Sequence, residues 1–332
     1  MPQPEAVDVL STSDPLLAFA RAHRDGRRLA LPTSGTADRP RTIVRSTSSW
    51  VDSFSHVSAL LGVTESSLVW IPGPLQATMN LFAAVHANMV GIARVDDPRE
   101  ATHAHLSPAT LQRELALRPD NLAGVHVLTA GDRLERSVHD TAGTSGVRVS
   151  HYYGAAELSF VGWGKHADAL RLFPGVEAES RHGELWVRSP YLCEGYLEAD
   201  RPLRSDEAGW VSVGDRGNVA DGYVAVLGRA GGITTGGATV MVADIEHTLR
   251  PLTTGDLVVV GLPHPDLGQV VAAVVTSASD IPTLRDQSRL LLTPAQRPRR
   301  WLHLDTMPLT GNGKVDRRTV VRDVTTTGAL PW

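Results

Sequence analysis

Val147-Arg148-Val149-Ser150-His151-Tyr152-Tyr153-Gly154-Ala155-Ala156-Glu157 opens with β-branched and aromatic residues and closes on glycine, two alanines and a carboxylate. Its first part, Val147 to Tyr153, reads as a buried strand, and the small residues after it as a loop at the strand's carboxyl end. Working outward, Val125 to Leu128 reads as a second buried strand and Leu111 to Leu117 as a helix before it. From Val44 to about Thr235 short apolar runs alternate with longer amphipathic segments, the pattern of an α/β domain. Within that span, Gly183-Glu184-Leu185-Trp186-Val187-Arg188-Ser189 alternates with period two, and Gly209 to Val213 and Tyr223 to Leu227 follow in the same style. They predict a β-rich subdomain. After Ala230-Gly231-Gly232 the character changes: Ile245 to Leu249 reads as helix, and Leu257 to Gly261, Val270 to Thr276 and Trp301 to Leu304 as strands. The expected fold class is therefore α/β: a large domain over 1–229, with its β-rich subdomain, and a small α+β domain over 230–332, about 100 residues.

Composition narrows the function classes. The chain has 332 residues, is 42% hydrophobic, and sets 32 basic against 36 acidic residues for a net charge of -4. No basic run is long enough for a nucleic-acid stripe, so no nucleic-acid partner is expected. Cys193 stands alone, which rules out an intramolecular disulfide and a cysteine-built metal site; it reads as a small buried thiol. Met1 to Thr12 lacks a basic region followed by an apolar one, and no stretch of about 18 apolar residues occurs. The expectation is a cytoplasmic protein without a membrane span.

Four stretches carry chemistry. Leu31-Pro32-Thr33-Ser34-Gly35-Thr36-Ala37-Asp38-Arg39-Pro40-Arg41 combines hydroxyls with glycine and a closing proline. Such a loop can wrap backbone N–H groups and hydroxyls around phosphate oxygens; an ordinary polar turn has the same composition. In Tyr153-Gly154-Ala155-Ala156-Glu157 the aromatic can stack on a base and the carboxylate can hold a magnesium ion, whereas a core tyrosine and a helix-start glutamate is the plainer alternative. Asp215, after Gly209-Trp210-Val211-Ser212-Val213-Gly214, can accept hydrogen bonds from two hydroxyls at once, or simply form a turn. In Leu309-Thr310-Gly311-Asn312-Gly313-Lys314-Val315-Asp316-Arg317, two glycines make a loop that presents one ammonium, suited to charge developing between a carboxylate and a phosphate. A solvated loop lysine is the alternative. Val224 to Gly232 superficially resembles a strand entering a dinucleotide-binding turn, but it lacks the G-x-G-x-x-G spacing, and Ile233 to Val240 is a poor helix.

In that order, and with Gly228-Arg229 between the last two, these stretches resemble the signature series of the adenylate-forming superfamily, which holds acyl-CoA synthetases, luciferases and the adenylation domains of peptide synthetases. The resemblance covers about Leu31 to Arg317 and continues through Gly183 to Val187, Glu194-Gly195-Tyr196-Leu197 and Gly261 to Gln269, in the style of acyl-CoA synthetases. Thr235-Gly236-Gly237 and Leu267-Gly268-Gln269 are similar to runs in the short actinobacterial o-succinylbenzoate-CoA ligases. The resemblance implies a truncated adenylate-forming fold, with only about 30 residues ahead of Thr33 and a mobile C-terminal domain hinged near Ala230-Gly231-Gly232. It also implies roles. Thr33, Ser34, Gly35 and Thr36 would bind phosphates, Glu157 with Thr36 would bind the metal, and Tyr153 with Gly154 would face adenine. Gly131, in Ala130-Gly131-Asp132, would lie beside the acyl-adenylate. Asp215 and Arg229 would hold ribose and phosphate, Gly236 and Gly237 would belong to the nucleotide site, and Lys314, Thr36 and Glu157 would act in catalysis. The chain departs from the family at Ala37, Asp38, Arg41, Ala156 and Gly231, and Gly228 to Gly237 is one residue short.

The implied reaction is ATP- and Mg2+-dependent activation of a small carboxylic acid as acyl-adenylate, followed by transfer to CoA. An amine or a carrier-protein thiol would be a different acceptor, a ligand-binding relative without catalysis a different class, and a homodimer a further expectation. Pro74 to Phe82, Ala130-Gly131 and Leu158-Ser159-Phe160 are expected to line the acyl pocket, their small or apolar character suiting an aromatic or medium aliphatic acid.

Overall fold

The computed structural model describes residues 6–32, 41–198, 202–229, 231–235, 238–265, 267–310 and 313–326, with backbone alone at 228–229, 234 and 238–239. The chain divides into two compact units, the first comprising Met1–Val213, Gly217–Val226 and Asn312–Lys314, the second Gly214–Arg216, Leu227–Gly311 and Val315–Trp332.

The first unit is built on a sheet whose parallel part runs Ala93–Val95, Leu68–Trp70, His103–Leu106, His126–Thr129, Arg148–Ala155. Parallel strands inside a sheet are covered on both faces and buried along their length, whereas the edge strand Ala93–Val95 is largely exposed. His103–Leu106 and His126–Thr129 are buried at every position. The helix Pro108–Leu117 starts on a Ser107 cap, whose hydroxyl accepts the Thr110 N–H at 3.1 Å, with proline in the first turn. It lays Leu111 and Leu115 on Ala104, Leu106 and Val127.

At Arg148–Ala155 the sheet turns antiparallel. Ser159–Gly164 pairs back along it with a register shift between Tyr153 and Gly154, and Leu170–Leu172 pairs next. The strand therefore runs through Ala155, so Gly154 and Ala155 lie in a bulged hairpin rather than in a loop after the strand. Gly154 is required there. A Cβ built on it would sit 1.8 Å from the Ser159 carbonyl oxygen. Gly154→Ala is expected to cost about 2 kcal/mol of stability through the forced separation of the two strands, read as a lowered urea midpoint.

A four-stranded sheet, Val7–Asp8, Leu29–Pro32, Thr42–Arg45, Gly195–Tyr196, carries the segment expected to bind phosphate. Leu29–Pro32 and Thr42–Arg45 are antiparallel, with Pro32 opposite Thr42. Behind the two sheets lies an aromatic core. Phe82 meets Trp50 and Phe54 edge-on at 5.4 Å each and Phe160 at 5.2 Å, while Phe160 stacks on Phe173 at 4.7 Å. Leu81, Phe82, Leu158 and Phe160 were expected to line a pocket; all four are instead buried in this core, because the same apolar character serves either place.

In the second unit, Leu257–His264 and Gly268–Val275 form the central hairpin of a five-stranded sheet, joined by Arg300–His303 and by the hairpin Gly232–Thr235/Ala238–Met241. Alternate residues face opposite sides. Leu257, Val259, Val271 and Ala273 pack with Ile245, Leu249 and Leu284, whereas Val258, Val260, Ala272 and Val274 pack with Val320 and Val324. Two-sided burial explains why these strands read as continuous valine and alanine runs. The strand Tyr223–Arg229 is followed by strand, not helix, so no dinucleotide turn forms there.

Candidate functional site

Thr33, Ser34, Gly35, Thr36, Ala37, Asp38 and Pro40 lie outside the described residues, as do Gly236 and Gly237. What is described is the frame that holds the first of these segments. Pro32 and Thr42 are register partners, so the chain leaves and re-enters the sheet at one place. The Thr42 N–H donates to both carboxylate oxygens of Glu198 at 3.1 Å.

Glu157 sits in the tight turn between Arg148–Ala155 and Ser159–Gly164, 7% exposed. It starts no helix. Its Oε1 accepts the Tyr196 hydroxyl at 2.8 Å, and its carbonyl accepts the Cys193 N–H at 2.8 Å. Arg41 donates from Nη1 to the same tyrosine oxygen at 3.1 Å, its guanidinium lying 5.0 Å from the ring centroid. Burial, and secondly the Glu157 charge, push the Tyr196 hydroxyl up to about 12, so it remains a donor at neutral pH.

Arg45 is enclosed on the same strand. It is 1% exposed, donates from Nη2 to the Tyr191 carbonyl at 2.6 Å, and its Nε has no partner. Burial pulls the guanidinium down to about 10, while Cys193 and Glu157 act in the opposite sense, so Glu157 is part of its charge balance. Cys193 is buried as expected, and burial pushes its thiol up to about 11, leaving it protonated and unreactive.

Strand alternation separates the two tyrosines. Tyr152 packs against Phe160 at 4.4 Å, and burial raises its hydroxyl well above the ordinary range; Tyr153 is partly buried like Tyr152 but also packs on the separate cluster of Leu170, Leu185 and Val224. Gly131 has φ +90° at the end of the strand His126–Thr129, and a Cβ built there would meet the Lys314 Cε at 3.4 Å. Gly313, at φ +72°, is tighter, since its Cβ would fall 2.3 Å from the Ser107 Oγ. Glu157, Tyr153, Gly154, Gly131 and Lys314 all belong to the first unit, within which Gly131 and Lys314 are neighbours. Asp215 and Arg229 belong to the second unit, Asp215 7% exposed at the start of its strand beside Gly214 at φ +81°. The backbone of Arg229 ends Tyr223–Arg229.

Among the described residues no group of three or more His, Cys, Asp or Glu side chains could hold a metal ion. A single buried carboxylate with one oxygen engaged suits magnesium arriving with a phosphate ligand, since Mg2+ is commonly held by one or two carboxylates plus substrate phosphates. Two members of this cluster carried no assigned role in the sequence, Tyr196 and Arg45. Tyr196 stands in Glu194-Gly195-Tyr196-Leu197, a run legible as a family resemblance, but its partner lies 39 positions away.

No family model matches the chain. Among curated proteins it is 26% identical to the uncharacterized acyl-CoA ligase YhfT of Bacillus subtilis, over 95% of this chain and 70% of that one. It is 31% identical to the 2-succinylbenzoate-CoA ligase of Salmonella typhimurium, over 66% of this chain and 50% of that one. Among solved structures, ATP-bound MatB of Rhodopseudomonas palustris superposes with a TM-score of 0.75 at 20% identity, over 90% of this chain and 68% of that one. E. coli MenE with bound OSB-AMS gives 0.75 at 23%, over 90% and 69%. No helix among the described residues is long and apolar enough to cross a membrane.

Proposed function

Since the chain belongs to the adenylate-forming superfamily, with acyl-CoA ligases as its relatives, we propose that it activates a carboxylic acid with ATP and transfers the acyl group to CoA. A substrate carboxylate oxygen attacks the α-phosphorus and the bond to the β-phosphate oxygen breaks, releasing pyrophosphate. The CoA sulfur then adds to the acyl carbon, loses its proton, and expels AMP. The first step turns a poor electrophile into one with a good leaving group.

The observation that carries this reading is Glu157, a buried carboxylate fixed by Tyr196 beside the strands that frame the Thr33–Arg41 segment. In this proposal Glu157 and Thr36 hold the magnesium that neutralises phosphate charge. Thr33, Ser34 and Gly35 cradle phosphates, Tyr153 and Gly154 face adenine, and Gly131 faces the acyl-adenylate. Asp215 and Arg229 take ribose and phosphate, Gly236 and Gly237 complete the nucleotide site, and Lys314 stabilises charge on the α-phosphate. Residues 1–229 serve as the AMP-binding domain and 230–332 as the domain that presents Lys314. The acids of the 2-succinylbenzoate ligases make an aromatic carboxylate the first class to try. A homodimer and a cytoplasmic location complete the proposal, with a carrier-protein thiol as the alternative acceptor to CoA.

The test is pyrophosphate release across a panel of aromatic and medium aliphatic acids. Turnover with one of them is expected, and nucleotide binding without turnover on any would overturn the reading. Glu157→Gln, which keeps the shape and the tyrosine contact, is expected to lower adenylation at least about tenfold at fixed Mg2+. Undiminished pyrophosphate release by that variant would remove Glu157 from the metal site.

A further inference from the structure

We propose that Tyr196 is a positioning residue that couples the phosphate segment to the Glu157 carboxylate through a directed relay, Arg41 to Tyr196 to Glu157. The inference rests on the reading of Glu157 as the metal carboxylate. A guanidinium has donors and no acceptor, so Arg41 at 3.1 Å must donate to the phenol oxygen. A phenol has a single proton, and here it goes to Glu157 Oε1 at 2.8 Å. Both bonds therefore point one way, from cation to anion, and such chains polarise each other in a low dielectric. Among the described residues one carboxylate oxygen is engaged in a hydrogen bond, which leaves the other for a cation.

The backbone makes the relay stiff. Residues 193 to 198 form a strap between the two ends of the site. At its start the Cys193 N–H donates to the Glu157 carbonyl at 2.8 Å. Along it, Glu194 N–H donates to the Val44 carbonyl and Leu197 N–H to the Thr42 carbonyl, each at 2.8 Å, with Tyr196 opposite Ile43. At its end Glu198 accepts the Thr42 N–H. Arg41 closes the phosphate segment and Thr42 is the first residue of the strand that follows. Arg41 and Thr42 are thereby tied, through the strap and the Tyr196 hydroxyl, to the carboxylate read as the metal ligand. Orienting groups behind a ligand commonly govern tenfold or more of metal affinity.

The experiment measures Mn2+ binding by the loss of its free six-line electron paramagnetic resonance signal, on the full chain with α,β-methylene-ATP. Tyr196→Phe keeps the ring under Arg41 and the backbone ladder and removes only the hydroxyl. It is expected to weaken Mn2+ binding about tenfold, with the ligand-free melting temperature changing by no more than about 4 °C. In a Glu157→Gln background the same change is expected to have no further effect, because the carboxylate that the relay orients toward the metal is already gone. Equal Mn2+ affinity in the wild type and Tyr196→Phe, alongside a weakened Glu157→Gln, would overturn the relay and spare the metal assignment. Full affinity in Glu157→Gln would overturn the metal assignment, and the relay with it.

Discussion

Lys314→Ala is expected to cut acyl-adenylate formation by about a hundredfold or more while leaving thioester formation from supplied acyl-adenylate and CoA nearly intact. An ammonium preorganised at the α-phosphate acts on the charge that develops as the acyl carboxylate attacks, and removing one such donor commonly costs this much. The second half-reaction breaks the acyl C–O bond of a mixed anhydride already made and expels AMP, so it places no comparable demand on the same cation. The geometry fits a single, closely placed charge: the Lys314 side chain lies against Gly131, where even a Cβ would approach its Cε to 3.4 Å. The neighbouring Gly313 holds φ +72° with its Cα side closed by Ser107. Substitution at this loop is also chemically clean. The sequence contains only two lysines, Lys165 and Lys314, among its 32 basic residues. The measurement is pyrophosphate release for the first step and thiol consumption with synthetic acyl-adenylate for the second. Equal loss in both would make Lys314 structural, and no loss in either would remove it from the reaction.

The particulars of the fold show which physical signals survive in a sequence. Leu257 to Gly261 and Val270 to Thr276 were legible as strands because both faces of Leu257–His264 and Gly268–Val275 are buried, which forces an unbroken apolar run. His126–Thr129 was legible from Val125 to Leu128 for the same reason. Its neighbour His103–Leu106 is equally buried and was missed, since two of its four residues are histidines and buried polar side chains leave no hydrophobic pattern. In the site, the chemical type of Glu157 could be read locally, but its environment could not. Tyr196 and Arg41 reach it from 39 and 116 positions away, and only folding brings them together. The bulge at Gly154 likewise depends on Ser159 returning along the opposite strand, so a local reading ended the strand at Tyr153 and placed Gly154 in a loop.

Those buried histidines give the second large effect, a loss of stability as the pH falls from about 7 to 5. His86, His105 and His151 are 2%, 4% and 3% exposed. Burial holds them at about 4, about 3 and about 4 in the folded chain. Burial also lowers His103 and His126, whose rings lie 5.8 Å apart, share the Leu61 carbonyl at 3.1 and 3.0 Å, and face the Arg148 charge. His151 faces Arg133 and His166, and no carboxylate is among the groups opposing its shift. In the unfolded chain each histidine takes up a proton near 6.5. Between that value and the depressed folded one, the unfolded state binds more protons, so unfolding free energy rises with pH across the window. The stabilisation is complete above 6.5 and is lost as the pH falls toward 4. At pH 5, each of the three most shifted histidines has given up about 2 kcal/mol, which is 1.5 units at 1.36 kcal/mol each. Urea unfolding at pH 7.5, 6.0 and 5.0, followed by tryptophan fluorescence, is expected to show the first unit losing most of its midpoint by pH 5. That unit contains Trp50, Trp70, Trp163, Trp186 and Trp210 and supplies most of the signal. His86→Gln, whose amide can still pair with the Ser58 hydroxyl now 2.9 Å from the His86 Nε2, is expected to flatten the pH dependence by about one histidine's share. A midpoint that stays level from pH 7.5 to 5.0 would show that these rings accept protons without leaving the core.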